Sequence, residues 1–352
     1  MPVKKLKDLV RDSFEELKHI QKGDKNLIKT GFDFIDDHIL LPGDCIVISG
    51  LSGHGKSETL FRLQESILSK EINQESDEFV WLSYNLEVKM FNVVLRGINR
   101  LLKKKKKEIL HSEFKETEKE VVNEYFKELT DSRQFVCQEE TTSTEFYSRT
   151  KEFLEFHKDK KAVFVSFDHA ALNSDRDTQK GIEEIVKYMN KLKLEYENVY
   201  FILISQLNRG ILNRIAEKNN SASPNASDLY ASSTMDFISS FNIIVFDANK
   251  VGINQFMKVN PNRYDYLSEF FGDVDSKGRV SFNTAGNLFF KVVKVRESDV
   301  GWKDLYIMKK DISEEELKLL EEENEETMPQ LPTDLKDLFD EPDFGDNSGS
   351  PF

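Results

Sequence analysis

The chain has 352 residues, 39% hydrophobic and 32% charged, and a formal net charge of −14. That length and apolar content suit one large domain with appendages, or two small domains. No run approaches the roughly 18 apolar residues of a membrane span. The amino terminus, MPVKKLKDLVRDSFEELKHI, lacks the apolar centre of a secretory signal. Only two cysteines occur, Cys45 and Cys137, so a disulfide framework is excluded and a cytoplasmic chain with no membrane partner is expected.

The charge is unevenly placed. Residues 311–352 hold 15 Asp/Glu against 2 Lys, a net of −13, which leaves the preceding 310 residues near −1. A near-neutral body can carry a local basic surface, so the low overall charge does not exclude nucleic acid.

Residues 3–21 set Val3, Leu6, Val10, Phe14 and Leu17 three or four apart among charges, the spacing of an amphipathic helix. A polar KGDKN linker follows, so the helix packs either on its own body or on something else. Short, continuously apolar strands are then expected at 45–50, 78–84, 162–168, 199–205 and 242–247. Helical patterns alternate with them at 57–70, 88–102, 143–157 and 178–194. This alternation predicts an α/β fold with a mostly parallel central sheet covered by helices. Stretches near 279–295 and 303–309 read as an antiparallel extension.

A lysine run, 103–107, falls in a charged helical stretch over 99–130 and reads as a phosphate-binding patch or a solvated face. The tail from 311 is acidic, then Pro-, Asp- and Ser-rich, a composition that favours disorder. Its LKDLFDEPDF segment suits a peptide that docks on a partner, or a plain solubilising tail.

The strongest chemical signal is GLSGHGKS at 50–57, directly after an apolar strand and before a helical pattern. It fits GxxxxGK[ST] in the context that motif requires. Glycines let successive backbone N–H groups turn inward around phosphate oxygens, and the following helix adds its positive end. Gly50, Ser52, Gly53, His54, Gly55, Lys56 and Ser57 form the nucleotide-binding set. Lys56 is expected on the β- and γ-phosphates of ATP and Ser57 on Mg²⁺, while His54 fills a variable position.

Three further polar groups end strands. Asp168 closes AVFVSFD, where a carboxylate can hold the Mg²⁺ water shell. Glu87 follows WLSYN, where it would deprotonate an attacking water or simply favour a helix start. Gln206, in ILISQLNRG, would contact the γ-phosphate or the water, or sit in an exposed turn. A phosphate loop with polar groups at three more strand ends matches the pattern of a RecA-like P-loop NTPase.

Over residues 28–310 the chain resembles the ATPase domain of DnaB-like replicative helicases. TGFDFIDDHILLPGDCIVISG is similar to the family's entry segment, and LSYNLEVKMFNVVLR to its SLEM block, with Arg96 at the matching distance. SFDHAALN, ISQLNR and SDLYASS correspond to the IDYLQL, LSQLNR and SDLRESG blocks, and FFKVVKVRE to the strand that ends in K-x-R.

The resemblance implies a division into a linker helix and linker (1–27), a RecA-like ATPase domain (28–310) and the acidic tail (311–352). It implies that Glu87 is the catalytic base, that Gln206 senses the γ-phosphate, and that Lys294 and Arg296 reach a neighbouring subunit's nucleotide. It further implies a homo-oligomeric ring, a hexamer by analogy, that moves on single-stranded DNA during replication. Channel loops are expected near 171–180 and 208–226, the second offering Arg209, Arg214 and Lys218 to phosphates. The family's amino-terminal helical domain has no counterpart ahead of residue 28, as in a minimal, phage-type version. Tyr230 and Ala231 stand where the family has Arg-Glu, which favours the rival reading of a RecA-family switch or recombination accessory without unwinding. The tail is expected to meet a replication-protein partner.

Overall fold

A computed structural model describes residues 6–21, 27–86, 88–130, 133–168, 175, 177–208, 210–217, 223–229, 232–296 and 303–310. The chain begins with α1 (Leu6–Gln21) and a one-turn α2 (Asp33–Asp36), then β1 (Cys45–Gly50), α3 (Lys56–Leu68) and β2 (Phe79–Asn85). A helical excursion follows, α4 (Met90–Leu102), α5 (Lys106–His111) and α6 (Glu116–Leu129), before β3 (Gln134–Cys137). Next come α7 (Ser143–Phe156), β4 (Ala162–Asp168), α8 (Thr178–Glu195), β5 (Val199–Gln206), α9 (Gly210–Glu217), α10 (Ser232–Ile238) and β6 (Phe241–Phe246). The last part holds β7 (Gln255–Val259), β8 (Phe271–Val274), β9 (Val280–Asn283), β10 (Asn287–Val295) and β11 (Leu305–Lys309), with short 3-10 turns at Asn249–Val251, Pro261–Arg263 and Asp265–Phe270.

Eight strands form one sheet in the order β11-β10-β6-β1-β5-β4-β2-β3. The six from β6 to β3 are parallel, and β10 and β11 extend them antiparallel. This is the mostly parallel α/β sheet expected from the alternation of apolar runs and helical patterns. The central strands β1, β4 and β6 are buried at every residue, which is why they read as unbroken apolar runs. Successive side chains face opposite sides. Ile46 and Ile48 pack with Leu60, Leu63 and Ile67 of α3, while Cys45 and Val47 belong with Phe146 of α7 and Ile185 and Met189 of α8.

Two regions depart from the expected layout. The lysine run does not lie within one helix: α4 ends at Leu102, Lys103 is left-handed with φ 50°, and α5 starts only at Lys106. Leu95, Ile98, Ile109, Val122 and Tyr125 give this three-helix excursion its own apolar cluster. Between β6 and β10 the chain builds a second, three-stranded antiparallel sheet, β7-β9-β8. Its Phe256, Met257 and Phe282, with Tyr264 and Phe270 from the connection between β7 and β8, join one cluster with Leu207, Ile211, Ile215 and Leu229, so it braces the segment that leaves β5.

Candidate nucleotide site

Parallel strands bring their carboxyl ends to one edge of the sheet, where ligands of open α/β sheets sit. Gly50, the last residue of β1, is level with Gln206, the last of β5. Asp168 ends β4 level with Asn85 of β2, and β5 lies between β4 and β1. The phosphate loop, Gln206 and Asp168 therefore share an edge. Glu87 lies outside the described residues, but its neighbours reach this edge too. Leu86 N–H donates to the Asp168 carbonyl at 2.9 Å, and Val88 N–H donates to Asn85 Oδ1 at 3.2 Å.

The loop is shaped by its glycines. A Cβ on Gly50 would come within 2.6 Å of the Val245 carbonyl, so only glycine lets β1 turn there beside β6. Gly53 and Gly55 have φ of 77° and 94°, the left-handed backbone that turns amides inward. Gly55 is the N-cap of α3, so the helix's positive end opens into the loop. Lys56 is 6% exposed, and its Nζ donates to the Leu51 carbonyl at 2.9 Å, folded over the loop. Asp168 is 3% exposed, whereas Ser57 is half-buried and Gln206 exposed. A cradle of glycine amides, a buried ammonium, a hydroxyl at a helix start and a buried carboxylate fits the donor and acceptor needs of a magnesium nucleotide.

A family profile described as DnaB-like helicase C terminal domain matches residues 28–254. The chain belongs to the DnaB-like helicase family. Among solved structures, one described as an ATPase domain is similar with a TM-score of 0.62 and 16% identity, covering 88% of this chain and 96% of that one. A DnaB-like replicative helicase, described with its interactions with primase, gives 0.59 and 16%, covering 88% of this chain and 65% of that chain. At such identities the likeness establishes a shared RecA-like fold. No curated protein sequence matches.

Lys294 and Arg296 are not at this edge. β10 runs against β6, with Lys294 level with Asn242 and Val295 with Phe241. Arg296 N–H donates to the Ser240 carbonyl at 2.7 Å, and Ser240 N–H to the carbonyl of Cys45, the first residue of β1. That level is five residues below Gly50, on the order of 16 Å along the strands. A bulge between Val292 and Lys294 breaks the strand's alternation. Both side chains rest on the carboxyl end of α10. Lys294 Nζ reaches the Asp236 carbonyl and, at 3.2 Å, its carboxylate, while Arg296 Nη2 donates to the Phe237 carbonyl at 2.8 Å.

Arg209 and Lys218 lie outside the described residues. Arg214 is engaged within the chain: its guanidinium grips both oxygens of Asp228 at 2.7 and 2.6 Å and donates to the Ser223 carbonyl at 2.9 Å. A phosphate at this position competes with that fork. Asp228 also accepts from Asn225 N–H, and its carbonyl accepts from Asn208 N–H at 2.7 Å. Leu207 and Leu229 form a bridge with each other, so Asp228 and Leu229 are laced to the end of β5.

Local pattern assigns no chemistry of its own to His54, and none to Asp247, Lys250 or Lys310. Yet His54 is 4% exposed, and its Nδ1 accepts from Asp247 N–H at 3.0 Å. Asp247 pairs with Lys310 at 2.8 Å, and Lys250 donates to the Gly53 carbonyl. No motif could reveal these partners, since His54 and Asp247 are 193 residues apart.

Proposed function

We propose that this chain is the motor of a ring-forming DNA helicase of the DnaB type, hydrolysing ATP to move along single-stranded DNA during replication. Residues 28–310 form the ATPase domain, 1–27 an arm to the neighbouring subunit, and 311–352 a tail for a replication-protein partner. The observation that carries the reading is the separation of two basic groups from the phosphate loop. Lys294 and Arg296 stand at the far edge of the sheet from Gly50, so within one chain they cannot serve its own nucleotide. In a head-to-tail ring they serve the next one.

The second support is α1. Its Leu6, Val10, Phe14 and Leu17 are 75%, 58%, 57% and 48% exposed, an apolar stripe that a second copy would cover.

In this reading Lys56 binds the β- and γ-phosphates, and Ser57 and Asp168 hold Mg²⁺, which when bound offsets phosphate charge. Glu87 takes a proton from the attacking water as the water's oxygen bonds to the γ-phosphorus and the bond to the β-phosphate oxygen breaks. Gln206 contacts the γ-phosphate, and the neighbour's Arg296 and Lys294 stabilise charge on the departing groups. Hydrolysis at each interface shifts the channel loops near 171–180 and 208–226, which carry the state of the nucleotide to the DNA. Cytoplasmic operation follows from this role; among the described residues no helix is long and apolar enough to cross a membrane.

A second reading, a RecA-family switch or recombination accessory, is favoured by the engagement of Arg214 with Asp228 and by Tyr230 and Ala231 in the SDL block. One assay separates them. The helicase requires ATPase stimulated by single-stranded DNA and unwinding of a forked duplex. Hydrolysis indifferent to DNA, with the fork left intact, would leave the switch.

A further inference from the structure

The phosphate loop is held at its outer turn by groups that its motif does not require. His54 stands between two glycines in left-handed conformations, φ 77° and 94°, the least constrained part of the loop. Its ring is nevertheless buried and lies 5.2 Å from the Phe246 ring. Nδ1 accepts from the Asp247 backbone at 3.0 Å, just beyond β6. An imidazole nitrogen that accepts carries no proton, so the neutral ring keeps its proton on Nε2. Burial brings the imidazole down to about 4, with the Asp247 carboxylate opposing the fall and Lys250, Lys56 and Lys310 adding to it.

The turn is braced from two more directions. Lys250 donates to the Gly53 carbonyl from one side. On the other, the Asp247 carboxylate, 4% exposed, is neutralised by Lys310, whose own N–H donates to Gly286 at 2.7 Å. The outer turn is therefore fixed to the end of β6 and to the strand pair β10–β11. A loop of glycines that had to be ordered by its ligand would bind it more weakly, because ordering costs conformational entropy.

We propose that His54 is a positioning residue for the nucleotide: its Nδ1, by accepting from Asp247 N–H, holds the outer turn in its phosphate-cradling shape before ATP arrives. This rests on the reading of residues 50–57 as a triphosphate cradle. His54 works through the loop backbone and takes no part in proton transfer. Its effect therefore falls on affinity, while Lys56 and Ser57, anchored in α3, keep the rate.

Three variants test this. In His54→Asn, the amide oxygen occupies the position of Nδ1 and can accept the same hydrogen bond. His54→Leu keeps the bulk without an acceptor. Lys250→Ala removes an exposed brace with no cost to the core. Titration with fluorescent mant-ATP and Mg²⁺ should show affinity about tenfold weaker for His54→Leu. It should be within about threefold of wild type for His54→Asn, and about threefold weaker for Lys250→Ala. The ATPase KM should follow these values with kcat changed less than about twofold, a split that general misfolding would not give. Wild-type affinity in both His54→Leu and Lys250→Ala overturns the proposal, as does His54→Asn binding as weakly as His54→Leu. A wild-type chain that does not bind mant-ATP overturns the cradle reading itself.

Discussion

The two edges of the main sheet are built from different materials. At the carboxyl edge stand the amides of a glycine loop, a buried lysine and a buried aspartate, with a Cβ at position 50 excluded by the Val245 carbonyl. At the amino edge Lys294 and Arg296 are long side chains laid over the last carbonyls of α10, beside Phe237, which is 67% exposed. One edge is preorganised for a ligand of its own chain. The other carries two cations at a surface, which among the described residues rest on Asp236 and Phe237. On this difference rests the proposal of a site completed when two chains meet.

Substitutions at the two edges should have effects of very different size. The largest effect should come from the amino edge: Arg296→Ala should lower ATP turnover by about 10³–10⁵ while leaving mant-ATP binding near wild type. A variant that loses binding instead would place Arg296 in its own chain's pocket. Next, Glu87→Gln should keep binding but reduce turnover by about 10²–10⁴ in single-turnover assays; full turnover would remove Glu87 as the base.

Smaller effects concern how rigid the carboxyl edge is. Arg214→Ala leaves Asp228, a nearly buried carboxylate, without its forked partner, and urea denaturation should show a loss of about 2–3 kcal/mol. Loss of under half that amount would mean that the Arg214–Asp228 fork does not hold Asp228 at the end of β5.

The smallest effect is on pH. His54 is held at about 4 in the fold against about 6.5 unfolded, so below pH 6.5 the unfolded chain binds the extra proton and the fold is disfavoured. Between pH 7 and pH 5 this costs about 2 kcal/mol. The His54→Asn variant should lack that component in parallel urea titrations, whereas an identical pH slope would mean that His54 is protonated in the fold.

Much of the carboxyl edge is legible in the sequence because burial on both faces leaves unbroken apolar runs. Cys45–Gly50 and Ala162–Asp168 are bounded to the residue for that reason, and the loop's spacing marks its own chemistry. β3 escapes such a reading because an edge strand of four half-exposed residues makes no such run. The small sheet β7-β9-β8 escapes it because its strands are four or five residues long and broken by register shifts. At the amino edge, Lys294 and Arg296 stand out only by resemblance to a family, since alternating charges on a strand are ordinary. Their placement far from Gly50 depends on β10 lying antiparallel beside β6; the pattern marks an antiparallel extension but not the strand it joins. His54 and Arg214 owe their roles to partners that folding supplies, a backbone amide and the Asp228 carboxylate.

In the proposed ring each site is shared between two chains. Two inactive variants that keep ATP binding, Glu87→Gln and Arg296→Ala, should each form the ring with ATP. When they are mixed in equal amounts, about a quarter of head-to-tail interfaces join an intact Glu87 to an intact Arg296. ATP hydrolysis by the mixture should then rise well above the sum of the separate variants. A mixture no more active than that sum, at every ratio tried, would contradict a site shared between subunits.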